Sequence, residues 1–128
     1  MAIEAESKRI ISLMYEAAIK GDAAALGSLL APDASFHEPP GLPYGGSYSG
    51  RDNLVALFGQ VAAYLDFSTI EIDYILADGE NVVTSLRVRT RTRRTEIRFL
   101  EQAIVRNGRV MDLRIFPFDL PAILADKS

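Results

Sequence analysis

The stretch that most restricts what this chain can fold into is TEIRFLEQAIVRNGRVMDLRIF, Thr95 to Phe116, two alternating runs around Asn107-Gly108. Asn-Gly between such runs marks a two-residue hairpin turn, because the favoured mirror-type turn needs positive φ at both positions. A turn of that length pairs Arg106 with Arg109, and the pairing propagates along the ladder. Val105 then faces Val110, Ala103 faces Asp112, Glu101 faces Arg114 and Phe99 faces Phe116. One face of the first strand reads Ile97, Phe99, Glu101, Ala103, Val105, an apolar row interrupted by one carboxylate. A carboxylate in that setting, with an arginine opposite, is either a structural ion pair or the floor of a site.

The rest of the chain has to cover that row. Its 128 residues suit a single domain, 1–128, large enough to bury roughly two-thirds of the surface its unfolded chain exposes. A net charge of -3 argues against a dedicated nucleic-acid partner, whose phosphates select basic domains. Cysteine is absent and histidine occurs once, so disulfides, thiolate chemistry and His-rich or Cys-rich metal sites are excluded, and neither metal nor organic cofactor is expected. The N-terminal MAIEAESKRI lacks the apolar core of a secretory signal, and no window approaches a membrane span. A cytoplasmic protein with no membrane partner is the expectation.

Ile10, Met14, Ala17 and Ala18 recur at helical spacing and predict a helix from Ile3 to Lys20. Gly21 stops it and Asp22 caps a second, short helix, Ala23 to Ala31, ended by Pro32. Ala34 to Glu38 reads as a short extended piece with Ala34, Phe36 and Glu38 on one side and His37 on the other. PPGLPYGGSYSG, Pro39 to Gly50, is an irregular loop, and a third helix follows from Arg51 to Leu65, opened by a Ser49 to Asp52 capping box. Beyond it the period changes to two. Ile70, Ile72, Tyr74 and Leu76 make one apolar row and Val82, Thr84, Leu86 and Val88 another, and a three-residue loop between them puts Glu71 opposite Arg87. Within the arginine-rich run Arg87 to Arg98, alternation puts Arg87, Arg89 and Arg98 on the outer face, where Glu71, Asp73 and Glu96 can neutralise several of them. A short turn of helix is expected around Pro121 to Ala125.

Helices first and long antiparallel strands after them make an α+β fold, with helices packed on one face of a curved sheet. This order, with GD between the first helices, PDASFHEPPG after the second, GGSYSGRDNLVALF opening the third and VRNGRVMDLRIF near the end, resembles the nuclear transport factor 2-like superfamily. Within it, the chain is most similar to the SnoaL-like polyketide cyclase and ketosteroid isomerase branch. The resemblance implies a cone-shaped, mixed but mainly antiparallel sheet wrapped around three helices, an apolar interior pocket, and a homodimer joined through the outer sheet face.

It also implies roles. Glu38 falls where the isomerases keep a proton-shuttling base, and Glu101 where they keep a protonated acid that hydrogen-bonds the substrate oxygen. Met14 stands where they keep a tyrosine, with Tyr15 one residue on. The pocket is expected to hold a small, mostly apolar oxygenated molecule between Met14, Phe36, Phe58 and Phe99, with Phe116, His37 and Tyr44 as further contacts. As an enzyme it would isomerise, cyclise or hydrate without a cofactor: Glu38 takes a proton while Glu101, helped by Arg114 or Tyr15, steadies the oxyanion. Two other readings stand beside this one. Glu101, Asp112 and Arg114 together resemble the carboxylate-arginine-carboxylate site of limonene epoxide hydrolase, and a non-catalytic binding or dimerisation module would use the same acids structurally.

Overall fold

Helix α1 (Ala2–Lys20) buries Ser7, Ile10, Ile11, Met14, Tyr15 and Ala17, a stripe of helical period wide enough to hold both Met14 and Tyr15. The computed structural model of the chain describes residues 2–127. Gly21 ends α1 in the left-handed region (φ +67°), and the Asp22 side chain accepts from the Ala25 amide to start α2 (Ala23–Leu29). The chain becomes extended sooner than the helical pattern suggests. Leu30, Ala31 and Pro32 already belong to β1 (Leu30–Glu38), so the short extended piece is a nine-residue strand.

Inside the irregular loop a four-residue strand, β2 (Gly46–Ser49), pairs antiparallel with β1. Helix α3 (Arg51–Ala62) is capped at Gly50 without a side-chain hydrogen bond, so the expected capping box is not formed, and Leu65 opens the next strand instead of closing the helix. Strands β3 (Leu65–Asp78), β4 (Asn81–Thr90), β5 (Glu96–Arg106) and β6 (Arg109–Pro117) complete a six-stranded sheet of order β2-β1-β6-β5-β4-β3, and α4 (Leu120–Ala125) follows. All neighbours are antiparallel except β1 and β6, which makes the sheet mixed. The helices cover one face, and Ile11, Leu30, Leu54, Leu57, Ile97 and Val110 are fully buried between the layers.

Two single-residue β-bulges, among several register shifts in the sheet, decide which side chains of β6 and of the end of β3 face the core. The β5–β6 hairpin starts as expected, with Arg106 opposite Arg109 and Val105 opposite Val110. Met111 is then an extra residue, and from there Ile104 faces Asp112, Gln102 faces Arg114, Glu101 faces Ile115 and Leu100 faces Phe116. The expected partnership of Glu101 with Arg114 is therefore corrected. The physical reason is burial: an unbroken ladder turns Asp112 and Arg114 into the apolar core and Leu113 and Ile115 into water, and one extra residue reverses all four. The second bulge is at Asp73 in β3. The β3–β4 turn has two residues, Gly79 (φ +61°) and Glu80, not three, yet Glu71 still meets Arg87 because the bulge restores the offset. Past it Tyr74 and Leu76 lie on the outer face, while Ile75 and Ala77 pack on the core. The Asp73 carboxylate accepts from Arg98 and from Arg87 Nε (3.0 Å), and Arg87 also reaches Glu71 at 2.9 Å, so Arg87 and Arg98 are neutralised on the outer face.

Asp126, just after α4, ties the C-terminus to the β4–β5 connection. Its buried carboxylate accepts from the Thr92 amide (3.1 Å) and the Arg93 amide (2.7 Å). Burial opposes ionisation there, but these backbone donors and the Thr90 hydroxyl outweigh it and hold the pKa below the usual carboxylate value. Asp126→Ala leaves those amides without an acceptor and is expected to cost about 1–3 kcal/mol, seen as a lower midpoint in urea with an unchanged slope.

Candidate functional site

The concave side of the sheet and the helices enclose a cavity of about 90 Å³. Four elements bring its polar groups together: Tyr15 from α1, Glu38 from the end of β1, Tyr44 from the loop before β2, and Glu101 from the middle of β5. Strand parity aims the acids. Glu38 shares a side with Ala34 and Phe36, and Glu101 lies in the row Ile97, Phe99, Ala103, Val105, whose other members are all buried. Tyr44 is placed by two successive turns, Pro39 C=O accepting from the Leu42 amide and Leu42 C=O from the Gly45 amide. A Cβ on Gly45 would stand 2.3 Å from the Pro39 oxygen, so only glycine lets the loop fold back this closely.

Tyr15 Oη donates to Glu101 Oε1 at 2.7 Å. Thr84, directly opposite Glu101 on β4, contributes a hydroxyl to the Tyr15 phenol. Burial raises the Glu101 pKa to about 7, a rise that the Tyr15 hydrogen bond limits. Glu38 lies higher, at about 8, because burial and then the negative charge of Glu101 both oppose its ionisation. No donor among the described residues relieves it. The two carboxyls thus release their protons in two steps near neutrality, Glu101 first, since it alone has a hydrogen-bond donor. Both phenols are pushed upward, Tyr15 by burial and then by the Glu101 charge, Tyr44 by burial and then by the Glu38 charge, so they stay protonated donors. Tyr15→Phe is expected to move the Glu101 pKa above about 7, read from its carboxyl-carbon NMR titration. An unmoved midpoint would mean the phenol does not bear on the acid.

Met14, Phe36, Phe58 and Phe99 line the cavity as expected, and Phe67 joins them, its ring stacked on Phe58 at 4.8 Å between centroids. Four expected members lie elsewhere. Arg114 is exposed on the outer face, and Phe116 is 50% exposed beside it. Asp112 and His37 also face outward, where His37 Nε2 meets Asp112 Oδ1 and His37 Nδ1 meets Ser47 Oγ, both at 2.8 Å. The Met111 bulge displaces Asp112, Arg114 and Phe116, and strand parity displaces His37. This removes the carboxylate-arginine-carboxylate site and leaves Tyr15 as the partner of Glu101. Thr84 was legible in the sequence as a hydroxyl within an apolar row. Phe67 was not, because β3 shifts register between Asp66 and Glu71.

A family model described as a SnoaL-like domain matches residues 11–113. The chain belongs to the SnoaL-like family. No curated protein matches its sequence. Among solved structures, this SnoaL-like chain is similar to a nuclear transport factor 2-like protein from Burkholderia thailandensis, with 26% identity over 93% of this chain and 95% of that one and a TM-score of 0.80. Bal32a, from a soil-derived mobile gene cassette, is 22% identical over 97% and 96% of the two chains, with a TM-score of 0.82. A protein of ketosteroid isomerase-like fold from Catenulispora acidiphila, solved with trimethylamine, is 16% identical over 91% and 90%, with a TM-score of 0.76. The nuclear transport factor 2-like fold, SnoaL-like branch, is therefore the architecture of this protein. No helix among the described residues is long and apolar enough to cross a membrane.

Proposed function

We propose that the cavity binds a small, mostly apolar oxygenated molecule and moves a proton on it without a cofactor, as an isomerase, cyclase or hydratase does. The observation that carries this reading is the pair Glu38 and Glu101, two carboxyls facing one apolar cavity with pKa values of about 8 and about 7. General acid–base catalysis works best with groups whose pKa lies near the working pH. When the pair holds one proton, the Tyr15 hydrogen bond favours the charged form of Glu101 and leaves the proton on Glu38. Glu101, steadied by Tyr15, is then the base, and Glu38 the acid that protonates the ligand oxygen, an exchange of the roles implied by the family resemblance. The cavity is several-fold smaller than the ~300–1,000 Å³ of sites that enclose drug-sized ligands, so the reading favours a molecule of one small ring.

Cyclohexanone in deuterium oxide tests this directly. Proton NMR is expected to show enzyme-dependent loss of the α-proton signals, and exchange no faster than in buffer would remove the acid–base reading.

The outer sheet face supports a homodimer. Tyr74, Ser85, Leu100 and Phe116 form one cross-strand row, and Leu100 and Phe116 are 43% and 50% exposed. A second copy laid on that face would take this apolar surface out of water. Sedimentation is expected to give a dimer for the native chain and a monomer for Leu100→Glu; a native monomer overturns the assembly.

A further inference from the structure

Two half-buried acids facing one apolar cavity need a positive charge, a proton or a ligand to offset them, and the walls supply no positive charge. Among the described residues lining the cavity there is no lysine, arginine or histidine. Six of those residues are aromatic, Tyr15, Phe36, Tyr44, Phe58, Phe67 and Phe99, and ring faces attract cations through their quadrupole. The groups able to respond to pH there are Glu38 on β1, Glu101 on β5, Tyr15 on α1 and Tyr44 on the loop; β3 and β6 present only apolar side chains, and β4 adds only the uncharged Thr84 hydroxyl on the Tyr15 phenol. His37 and Asp112 lie on the far side of the sheet, bonded to each other.

We infer that this cavity is also a cation site, one that takes small apolar amines as ammonium ions held against the Glu101 and Glu38 carboxylates and faced by the aromatic rings. An ammonium group donates to Glu38, which has no donor of its own, and to Glu101 beside the Tyr15 phenol. An anionic ligand meets like charge with no counter-ion and is rejected. The inference goes beyond the acid–base reading, because it requires binding and no proton transfer on the ligand. An ammonium ion entering a pair that still holds protons expels them to solvent, so amine binding strengthens as the carboxyls ionise.

Isothermal titration with cyclohexylamine, cyclohexanol and cyclohexanecarboxylate between pH 6 and pH 8 separates the possibilities. The amine is expected to gain affinity with rising pH, by up to about tenfold per unit for each proton released, with heats that depend on the buffer's ionisation enthalpy. Cyclohexanol is expected to show no such gain and the carboxylate no binding. The double variant Glu38→Gln, Glu101→Gln is expected to lose the amine's pH dependence and its advantage over the alcohol. If that variant does not fold, the native pH series decides alone. Amine affinity that is flat with pH, or cyclohexanol bound as tightly as the amine at pH 8, overturns the cation site. Cyclohexanone exchange that persists while the amine fails to bind overturns this inference and leaves the acid–base reading standing. Amine binding without exchange does the reverse.

Discussion

Glu38→Gln is expected to slow cyclohexanone exchange by roughly 10²–10⁴-fold, the usual contribution of a positioned proton-transfer group. The amide keeps the shape and the polarity of the side chain, so the fold and the cavity persist while the transferable proton is lost. Glu101→Gln is expected to lose a similar factor by removing the base. Because only the singly protonated pair is active, the native rate should peak between about pH 7 and about pH 8 and fall on both sides. A rate that rises steadily with pH, or a Glu38→Gln variant as fast as the native chain, would remove Glu38 as the acid; native exchange unchanged in both single glutamine variants would show that the acids are structural.

Stability is expected to fall as pH rises from about 4.5 to about 8, by several kcal/mol in total, the reverse of ordinary acid denaturation. In the unfolded chain both carboxyls ionise near 4.5, whereas in the folded chain they hold their protons to about 7 and about 8. The unfolded state therefore binds fewer protons across that window, and each unit of pH favours it. The contribution is complete below the unfolded pKa and gone above the folded ones. Glu4, Glu6, Asp66, Asp73, Glu80 and Asp126, whose pKa values are lowered on folding, act with the opposite sign at lower pH, which places the maximum near pH 5. Urea titrations at pH 5 and pH 8 measure the difference, and the double glutamine variant is expected to flatten it. A native chain at least as stable at pH 8 as at pH 5 would mean the acids ionise in the cavity at ordinary values.

Much of this site is legible in the sequence itself. Parity within a single strand needs only the alternation of side chains, so Ile97 to Val105 predicts an inward Glu101 and Ala34 to Glu38 predicts an inward Glu38. The helical stripe of α1 likewise brings Met14 and Tyr15 to one face. Pairing between strands is a different kind of information. The turn at Asn107-Gly108 sets the register only as far as the first irregularity, and one extra residue at Met111 moves Asp112, Arg114 and Phe116 to the opposite face. A trace of it is present in the chain, since Leu113 and Ile115 are out of phase with Val110 by an odd number of residues. Asp73 has the same effect on Tyr74 and Leu76.

Local pattern thus determined the helices in outline, the four long strands, the inner row of β5 and the two acids of the cavity, because each depends on neighbours within one element, while β2 and the early start of β1 were not visible in it. The tertiary structure alone decided that Glu101 answers to Tyr15 and not to an arginine, that His37 and Asp112 meet on the outside, and that Tyr44 closes the cavity wall. Those outcomes turn on where the sheet can bury charge, a comparison between faces that no single strand contains.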